Sequence, residues 1–254
     1  MRLLESIPNE CKLMAQLPKE LWYIGNKELL ECRKVSIVGT RRPLAYTKDF
    51  TYKLAKALAK RGVIVVSGAA MGVDAIAHQG AGAENTIAVM ANGLDIRYPA
   101  VNKNLIADIE RKGLCLSFYK AGFRARSWSF VVRNELVVAL GEVLIVTEAE
   151  LQSGSMRSVE YALKMGKEIF VLPHRLNESN GTNSLLRDGK AKVIYDIEEF
   201  ANSFGVAKQE EDPFIEFLET SPTLEAALSK YGERVYEAEL EGLIIIKDGI
   251  VQLL

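Results

Sequence analysis

The sequence predicts an α/β protein with a doubly wound, mostly parallel sheet and a small second domain at its C-terminal end. Across residues 34–205, short apolar runs rich in Val and Ile alternate with segments of helical periodicity. The runs are continuously apolar, which is typical of parallel strands that are buried on both faces. Beyond residue 205 the composition becomes polar and acidic, so a second, smaller unit is expected there.

The predicted strands follow one another along the chain, with a helix between most of them. The first strand lies at residues 34–39, and the helix after it, at 46–61, carries Phe50, Leu54 and Leu58 on one face. Further strands are predicted at 63–68, 86–91, 114–119, 143–149 and 168–173, a short edge strand at 192–195, and helices at 73–80, 102–112, 130–140 and 153–165. This βα repetition predicts a Rossmann-like sheet, on which ligands bind beyond the carboxyl ends of the strands.

Four regions are expected along the chain. Residues 1–33 form a lead-in of one or two helical turns, 34–205 the Rossmann-like domain, and 206–212 a polar linker. Residues 213–254 contain helical segments at 214–218, 223–229 and 233–240, followed by two β-rich runs around Lys247, Asp248 and Gly249. Three helices and a hairpin are the outline of a winged-helix-like domain.

Charge is segregated along the chain, although the formal net charge is only -1. Residues 33–61 hold nine Lys and Arg against the single Asp49, and residues 120–133 hold four basic residues and no acidic one. Residues 210–254 hold eleven acidic residues and three basic ones. The first two segments are therefore suited to an anionic partner, and the last is not.

The three cysteines are scattered without metal-binding spacing, and neither a secretory segment nor an apolar run of membrane-spanning length is found. These features predict a cytoplasmic protein with no membrane partner.

The first strand ends in Gly39, Thr40, Arg41 and Arg42. Glycine permits a tight turn, and arginine offers forked donors that match phosphate geometry and can stack on bases. The segment predicts an anion-binding loop. The alternative is a basic surface loop whose arginines pair with nearby carboxylates.

The second strand ends in Ser67 and Gly68, where small residues leave backbone amides open before a helix. Asp74 and His78 follow at a spacing that places them on one helix face. No metal site is predicted, because a zinc site needs three or four ligands and no third one lies nearby.

Basic and aromatic residues interleave in the segment 124–135, which includes Trp128, Phe130, Arg133 and Asn134. This pattern is what sequence-tolerant binding of single-stranded nucleic acid requires, because every base has a π-face and every nucleotide a phosphate. The alternative is that Trp128 and Phe130 begin a core helix.

After the fifth strand, Ser153, Gly154 and Ser155 open a helix and predict a second phosphate cradle. An ordinary serine N-cap is the alternative.

These motifs together closely resemble the DNA-processing protein A (DprA/Smf) family. The matching stretches are "VGTRRP", "VVSGAAMGVDAIAH", "TIAVMANGLDIRYPAVNKNL", "SF..RNELV", "EAELQSGSMRSVEYALKMGKEIFVLP" and "NGTNSLLRDGKA", in order over about residues 34–200. The resemblance implies a dimeric cytoplasmic protein of natural transformation that binds incoming single-stranded DNA and helps to load the RecA recombinase. It also implies DNA-binding roles for Gly39, Thr40, Arg41, Arg42, Ser67, Gly68, Phe130, Arg133, Asn134, Ser153, Gly154 and Ser155.

Two enzyme classes on related folds have signatures that this chain lacks. A nucleoside-monophosphate phosphoribohydrolase of the lysine-decarboxylase-like kind carries a PGGxGTxxE signature, but this chain reads "LQSGSMRSVEY" there. A dinucleotide-dependent oxidoreductase needs GxGxxG after the first strand, where this chain reads "GTRRPL". The sequence therefore predicts no catalytic residues and no cofactor.

Overall fold

The computed structural model describes residues 1–207 and 212–254. The chain divides into two compact units, Met1–Ala207 and Lys208–Leu254. The predicted linker at 206–212 includes residues 208–211, which lie outside the described residues.

A nine-stranded sheet forms the centre of the described part of the first unit, in the order β1-β2-β6-β5-β4-β3-β7-β8-β9. From β3 onward, neighbouring strands run parallel, and β2 pairs antiparallel with both β1 and β6. The strands are β1 (Arg2–Leu3), β2 (Trp22–Gly25), β3 (Lys34–Val38), β4 (Ile64–Ser67), β5 (Thr86–Met90), β6 (Leu114–Ser117), β7 (Leu144–Val146), β8 (Ile169–Val171) and β9 (Lys192–Val193). The prediction of a mostly parallel Rossmann-like sheet is confirmed.

Helices cover both faces of this sheet. They are α1 (Ala45–Ala59), α2 (Val73–Ala81), α3 (Lys103–Lys112), α4 (Ser127–Leu140), α5 (Gly154–Lys164), α6 (Asn180–Arg187) and α7 (Ile197–Asn202). Successive strand residues point to opposite faces, so Ile37 packs with α1 and α2 whereas Val38 packs with α4 and α5. The sheet is doubly wound, as predicted. None of the described helices combines the length and apolarity that crossing a bilayer requires.

The helical turns that the sequence predicts for the lead-in are present, but the two strands that it adds to the sheet were not predicted. Short 3-10 helices are present at Asn9–Leu13 and Lys27–Glu31, but β1 and β2 extend the sheet at its edge. The partner of β2 is β6, about ninety residues away, so no local pattern could reveal the pairing. The predicted edge strand at 192–195 is present as β9, whereas α6 and α7 were not predicted.

The order in which successive strands are placed in the sheet reverses at β3. It first adds β4, β5 and β6 on one side of β3, and then returns through α4 to place β7 on the other side. The carboxyl ends of β3 and β7 therefore lie side by side, with Val38 paired to Val146. Such a switch point opens a crevice in an α/β sheet.

The second unit consists of α8 (Pro213–Glu219), α9 (Leu224–Tyr231), α10 (Arg234–Leu240), β10 (Ile244–Lys247) and β11 (Ile250–Leu253). Asp248 and Gly249 both have positive φ, as a tight hairpin turn requires. The predicted helices and hairpin are present, and a winged-helix-like classification stays a prediction. Its core is formed by Phe214, Leu218, Ala227, Val235, Ala238, Ile244 and Val251.

Candidate nucleic-acid interface

A cleft of about 550 Å³ lies at the switch point. The loop after β3 and the first turns of α2, α4 and α5 form its walls. The site residues that the sequence predicts and that line this cleft are Gly39, Thr40, Arg41, Phe130, Arg133, Asn134, Ser153, Gly154 and Ser155. Arg42 and Ser67 lie outside its lining, and Gly68 lines a small adjoining hollow of about 30 Å³ together with Arg41 and Phe130.

Close packing fixes the loop after β3. A Cβ at Gly39 would lie 2.6 Å from Val73 Cγ2, so a larger residue would push the loop from α2. Thr40 donates its N–H to the Glu148 carbonyl at 2.8 Å and accepts from the Val73 N–H at 3.1 Å. The loop is thus held between β7 and α2, and it presents Arg41 to the cleft.

Phe130 forms an aromatic wall with cations beside it. The Arg41 Cζ lies 5.6 Å from the ring centroid and the Arg133 Cζ lies 5.9 Å from it, both within cation–π range. Phe130 is half-buried and belongs to none of the described core clusters. The Tyr98 ring, which was not singled out from the sequence, stands 6.1 Å from it, on the loop after β5.

Trp128 is 51% exposed. Trp128 is therefore not a core residue, although α4, the helix at whose start it lies, packs residues 136–140 into the core.

Arg133 and Asp74 are buried groups of opposite charge beneath the cleft, which attract each other without a direct hydrogen bond between them. Arg133 is only 3% exposed, and its Nη1 donates to the carbonyl oxygens of Val89, at 2.7 Å, and of Gly68. Asp74 accepts the N–H of Gly68 at 3.2 Å and that of Ala70 at 3.4 Å. Burial raises the pKa of the Asp74 carboxyl and lowers that of the Arg133 guanidinium, and the attraction between the two charges opposes both shifts.

Gly68 and Ser67 belong to the same buried floor. A Cβ at Gly68 would lie 1.9 Å from Arg133 Nη1, so glycine is what lets the guanidinium enter. The Ser67 hydroxyl donates to the Ile37 carbonyl at 2.7 Å. The buried, engaged side chains of Ser67 and Arg133 favour a supporting role over the direct DNA contact that the sequence predicts.

The opposite wall is the start of α5, which is rich in hydroxyl groups. Ser153 occupies the N-cap position but makes no side-chain capping bond, so the alternative of an ordinary serine N-cap is wrong in its detail. The Oγ atoms of Ser153 and Ser158 are buried and have no hydrogen-bond partner in the described structure. The Asn134 amide donates to the Gly154 carbonyl at 3.4 Å and joins α4 to this wall. Free hydroxyls at a helix start suit an anionic ligand.

Asp74 and His78 do not act together. The His78 ring is fully buried and its Nδ1 contacts Thr86 Oγ1, while Asp74 faces the loop of residues 68–70. No group of three or more His, Cys, Asp or Glu residues suited to a metal is found in the described parts of the chain.

Comparisons with known proteins agree on one family. The family model described as DNA recombination-mediator protein A matches residues 2–205. "Protein Smf" of Synechocystis is 35% identical over 212 residues, which are 80% of this chain and 51% of that protein. "DNA processing protein DprA" of Streptococcus pneumoniae is 35% identical over 181 residues, or 70% of this chain and 64% of the relative. The chain spans about half the length of the first of these curated relatives.

Two solved structures are similar over most of the chain. DNA processing protein A from Helicobacter pylori, described for its single-stranded DNA binding mode, has a TM-score of 0.78 and 45% identity, covering 80% of this chain and 94% of that one. DprA from Streptococcus pneumoniae has a TM-score of 0.73 and 32% identity, covering 78% of this chain and 71% of that one.

Proposed function

The chain belongs to the DNA recombination-mediator protein A family, and we propose that it binds single-stranded DNA in the cleft at the β3–β7 switch point. The observation that carries the proposal is the Arg41 guanidinium over the Phe130 ring, opposite the unpartnered hydroxyls at the start of α5. An aromatic face supports any base, and arginine and helix-start groups hold phosphates. The cleft thus suits a strand whose bases are unpaired.

We also propose that the protein does not catalyse a reaction on this ligand. Among the described residues, Asp74 is the one carboxylate that lines the cleft. It already accepts hydrogen bonds from two backbone N–H groups and is attracted by the Arg133 charge. Glu160, the acid nearest to a phosphoribohydrolase signature, is exposed and paired with Arg157 at 2.9 Å. Release of ribose phosphate from nucleotides would contradict this proposal.

Replacing Arg41 with alanine should weaken binding of single-stranded DNA by a similar factor for all base sequences. The slope of log K against log salt concentration should become about one unit less steep, because one phosphate contact is lost. Arg42→Ala is the matched control and should have a smaller effect, since Arg42 is exposed outside the cleft. Fluorescence anisotropy with labelled single-stranded, duplex and mononucleotide ligands at two salt concentrations measures both. Equal affinity for duplex and single strand would contradict the proposed function.

Replacing Phe130 with alanine should cost about 1–3 kcal/mol of single-strand binding, the usual value of one base–aromatic stack. Thermal stability should change little, because the ring belongs to none of the described core clusters. Phe130→Tyr should keep the affinity. A large fall in the melting temperature with unchanged DNA affinity would show that the ring is a packing residue.

Wider roles follow from family membership and are proposals here. We propose that the protein acts in the cytoplasm as a homodimer in natural transformation, and that it helps RecA to load onto single-stranded DNA. Light scattering tests the dimer, and the rate of RecA filament nucleation on a single strand, with and without the protein, tests the loading.

We propose that the second unit does not bind DNA. On α10 and its flanks, Glu233, Glu237, Glu239 and Glu241 are exposed, while Arg234 pairs with Asp212. This face would repel phosphates. A chain shortened to residues 1–207 should keep most of its single-strand affinity by anisotropy, and a large loss would overturn the proposal.

A further inference from the structure

Three aromatic rings cluster where the chain passes from β6 into α4. The rings of Tyr119 and Phe123 stack with centroids 4.1 Å apart and planes 10° from parallel. The Trp128 indole meets both rings edge-on, with centroid distances of 5.9 Å to Tyr119 and 5.8 Å to Phe123. We call these three residues the aromatic platform.

The platform is held firmly but is not buried. Half of Trp128 is exposed, although the residue is packed against two other rings. Its helix start is fixed by Ser129, whose Oγ accepts the Arg126 N–H at 2.9 Å and whose N–H donates to the Arg126 carbonyl at 2.9 Å. An indole that is both fixed in place and open to solvent is available to stack on a planar partner.

Unpaired cations flank the platform. Arg124 and Arg126 are exposed, and neither side chain forms an ion pair in the described structure. The neighbouring Lys120 is 3.4 Å from Glu20, and the carboxylate of Asp95 accepts the Gly122 N–H at 2.8 Å. The charge beside the platform that no ion pair neutralises is therefore positive. This favours an anionic partner over a cationic one such as a basic peptide.

Tyr98 lies between the cleft and Arg124, which flanks the platform. The Tyr98 side chain is 49% exposed and stands 6.1 Å from Phe130, which lines the cleft. Tyr98 also lines a hollow of about 400 Å³ together with Ile96, Arg124 and Ala125. Aromatic surface and unpaired arginine therefore continue from the cleft around the start of α4.

We propose that the aromatic platform is a second nucleotide-binding subsite, which takes bases of the same single strand beyond those held in the cleft. The proposal rests on the proposed function. Trp128 stacks on a base, and Arg124 and Arg126 contact the adjoining phosphates. The site then accommodates a longer stretch of strand than the cleft alone, because stacking and phosphate contacts add along the strand.

Tryptophan fluorescence tests this directly, since the chain has only two tryptophans, Trp22 and Trp128. The Trp22→Phe variant reports on Trp128 alone. Its emission should be quenched by oligothymidylate of twelve nucleotides and should stay unchanged on saturation with a mononucleotide. Unchanged emission at saturating oligonucleotide would overturn the proposal.

Affinity against strand length separates the platform from the cleft. Trp128→Ala should weaken binding of the twelve-nucleotide strand at least about fivefold, leave binding of a dinucleotide unchanged, and melt close to the wild-type temperature. Trp128→Phe should restore most of the loss, and Arg124→Ala should reduce the salt slope by about one unit. If the wild type binds long strands and Trp128→Ala binds them equally well, the platform proposal fails alone. If the wild type binds no single strand, the proposed function fails and the platform proposal fails with it.

Discussion

Replacing Arg133 with methionine should lower the free energy of unfolding by about 2–6 kcal/mol, because each of two buried carbonyl groups left without its donor costs about 1–3 kcal/mol. The substitution leaves the Asp74 carboxylate buried without its countercharge, and it leaves the carbonyl oxygens of Gly68 and Val89 without the donor that they now share. Urea unfolding followed by circular dichroism measures the change.

Two further variants test the cause of this loss. Asp74→Asn combined with Arg133→Met removes both charges and should recover part of the stability, because no buried carboxylate is then left without an opposite charge nearby. Arg126→Met changes an exposed arginine at the start of the same helix and should stay within about 0.5 kcal/mol of the wild type. A double variant no more stable than Arg133→Met alone would mean that packing of the arginine, and not charge, stabilises the floor of the cleft.

Acid should destabilise the fold through His78. Thr86 Oγ1 donates to the Val65 carbonyl at 2.7 Å, so His78 Nδ1 carries the hydrogen toward Thr86 and Nε2 is buried without a partner. Protonating Nε2 would bury a charge, and burial accordingly lowers the pKa of His78 to about 3.

The sign of the effect follows from linkage. In the unfolded chain, His78 binds a proton with the ordinary histidine pKa of about 6.5. In the folded chain, it binds that proton only near pH 3. The contribution of neutral His78 to the free energy of unfolding is therefore fully present above about pH 6.5. Below that pH, the free energy of unfolding falls by roughly 1.4 kcal/mol per pH unit. His78→Gln should remove this slope between pH 6 and pH 4 in urea titrations, whereas His174→Gln, at the one other histidine, should keep it. A slope equal to that of the wild type in His78→Gln would contradict the assignment.

The sequence predicts best where structure depends on local pattern. The buried strands from β3 to β8 follow from continuous apolar runs, and Arg41 and Phe130 follow from their places after a strand and at a helix start. The parts that were missed depend on distant partners. The strand β2 exists because β6 offers an open edge, and Tyr98 reaches Phe130 from another βα unit.

Arg133 shows the same limit within one motif. It lies three residues after Phe130 in a basic, aromatic segment, so its sequence context indicates a DNA contact. Its burial is decided by Asp74 and by the carbonyls of Gly68 and Val89, which belong to other elements of the fold. Charge in a sequence therefore points to the candidate interface, but does not show which charged side chains are buried in the fold.

Gly68 restricts which substitutions the chain can accept during evolution, both at residue 68 and at residue 133. A methyl group at residue 68 would occupy the space of the Arg133 guanidinium, so alanine there requires the guanidinium to move from its buried position or to be lost. Losing the arginine first isolates Asp74, which makes that evolutionary step costly as well. Homologous proteins that keep this cleft are thus expected to retain the glycine and the arginine together, or to have exchanged both along with the aspartate.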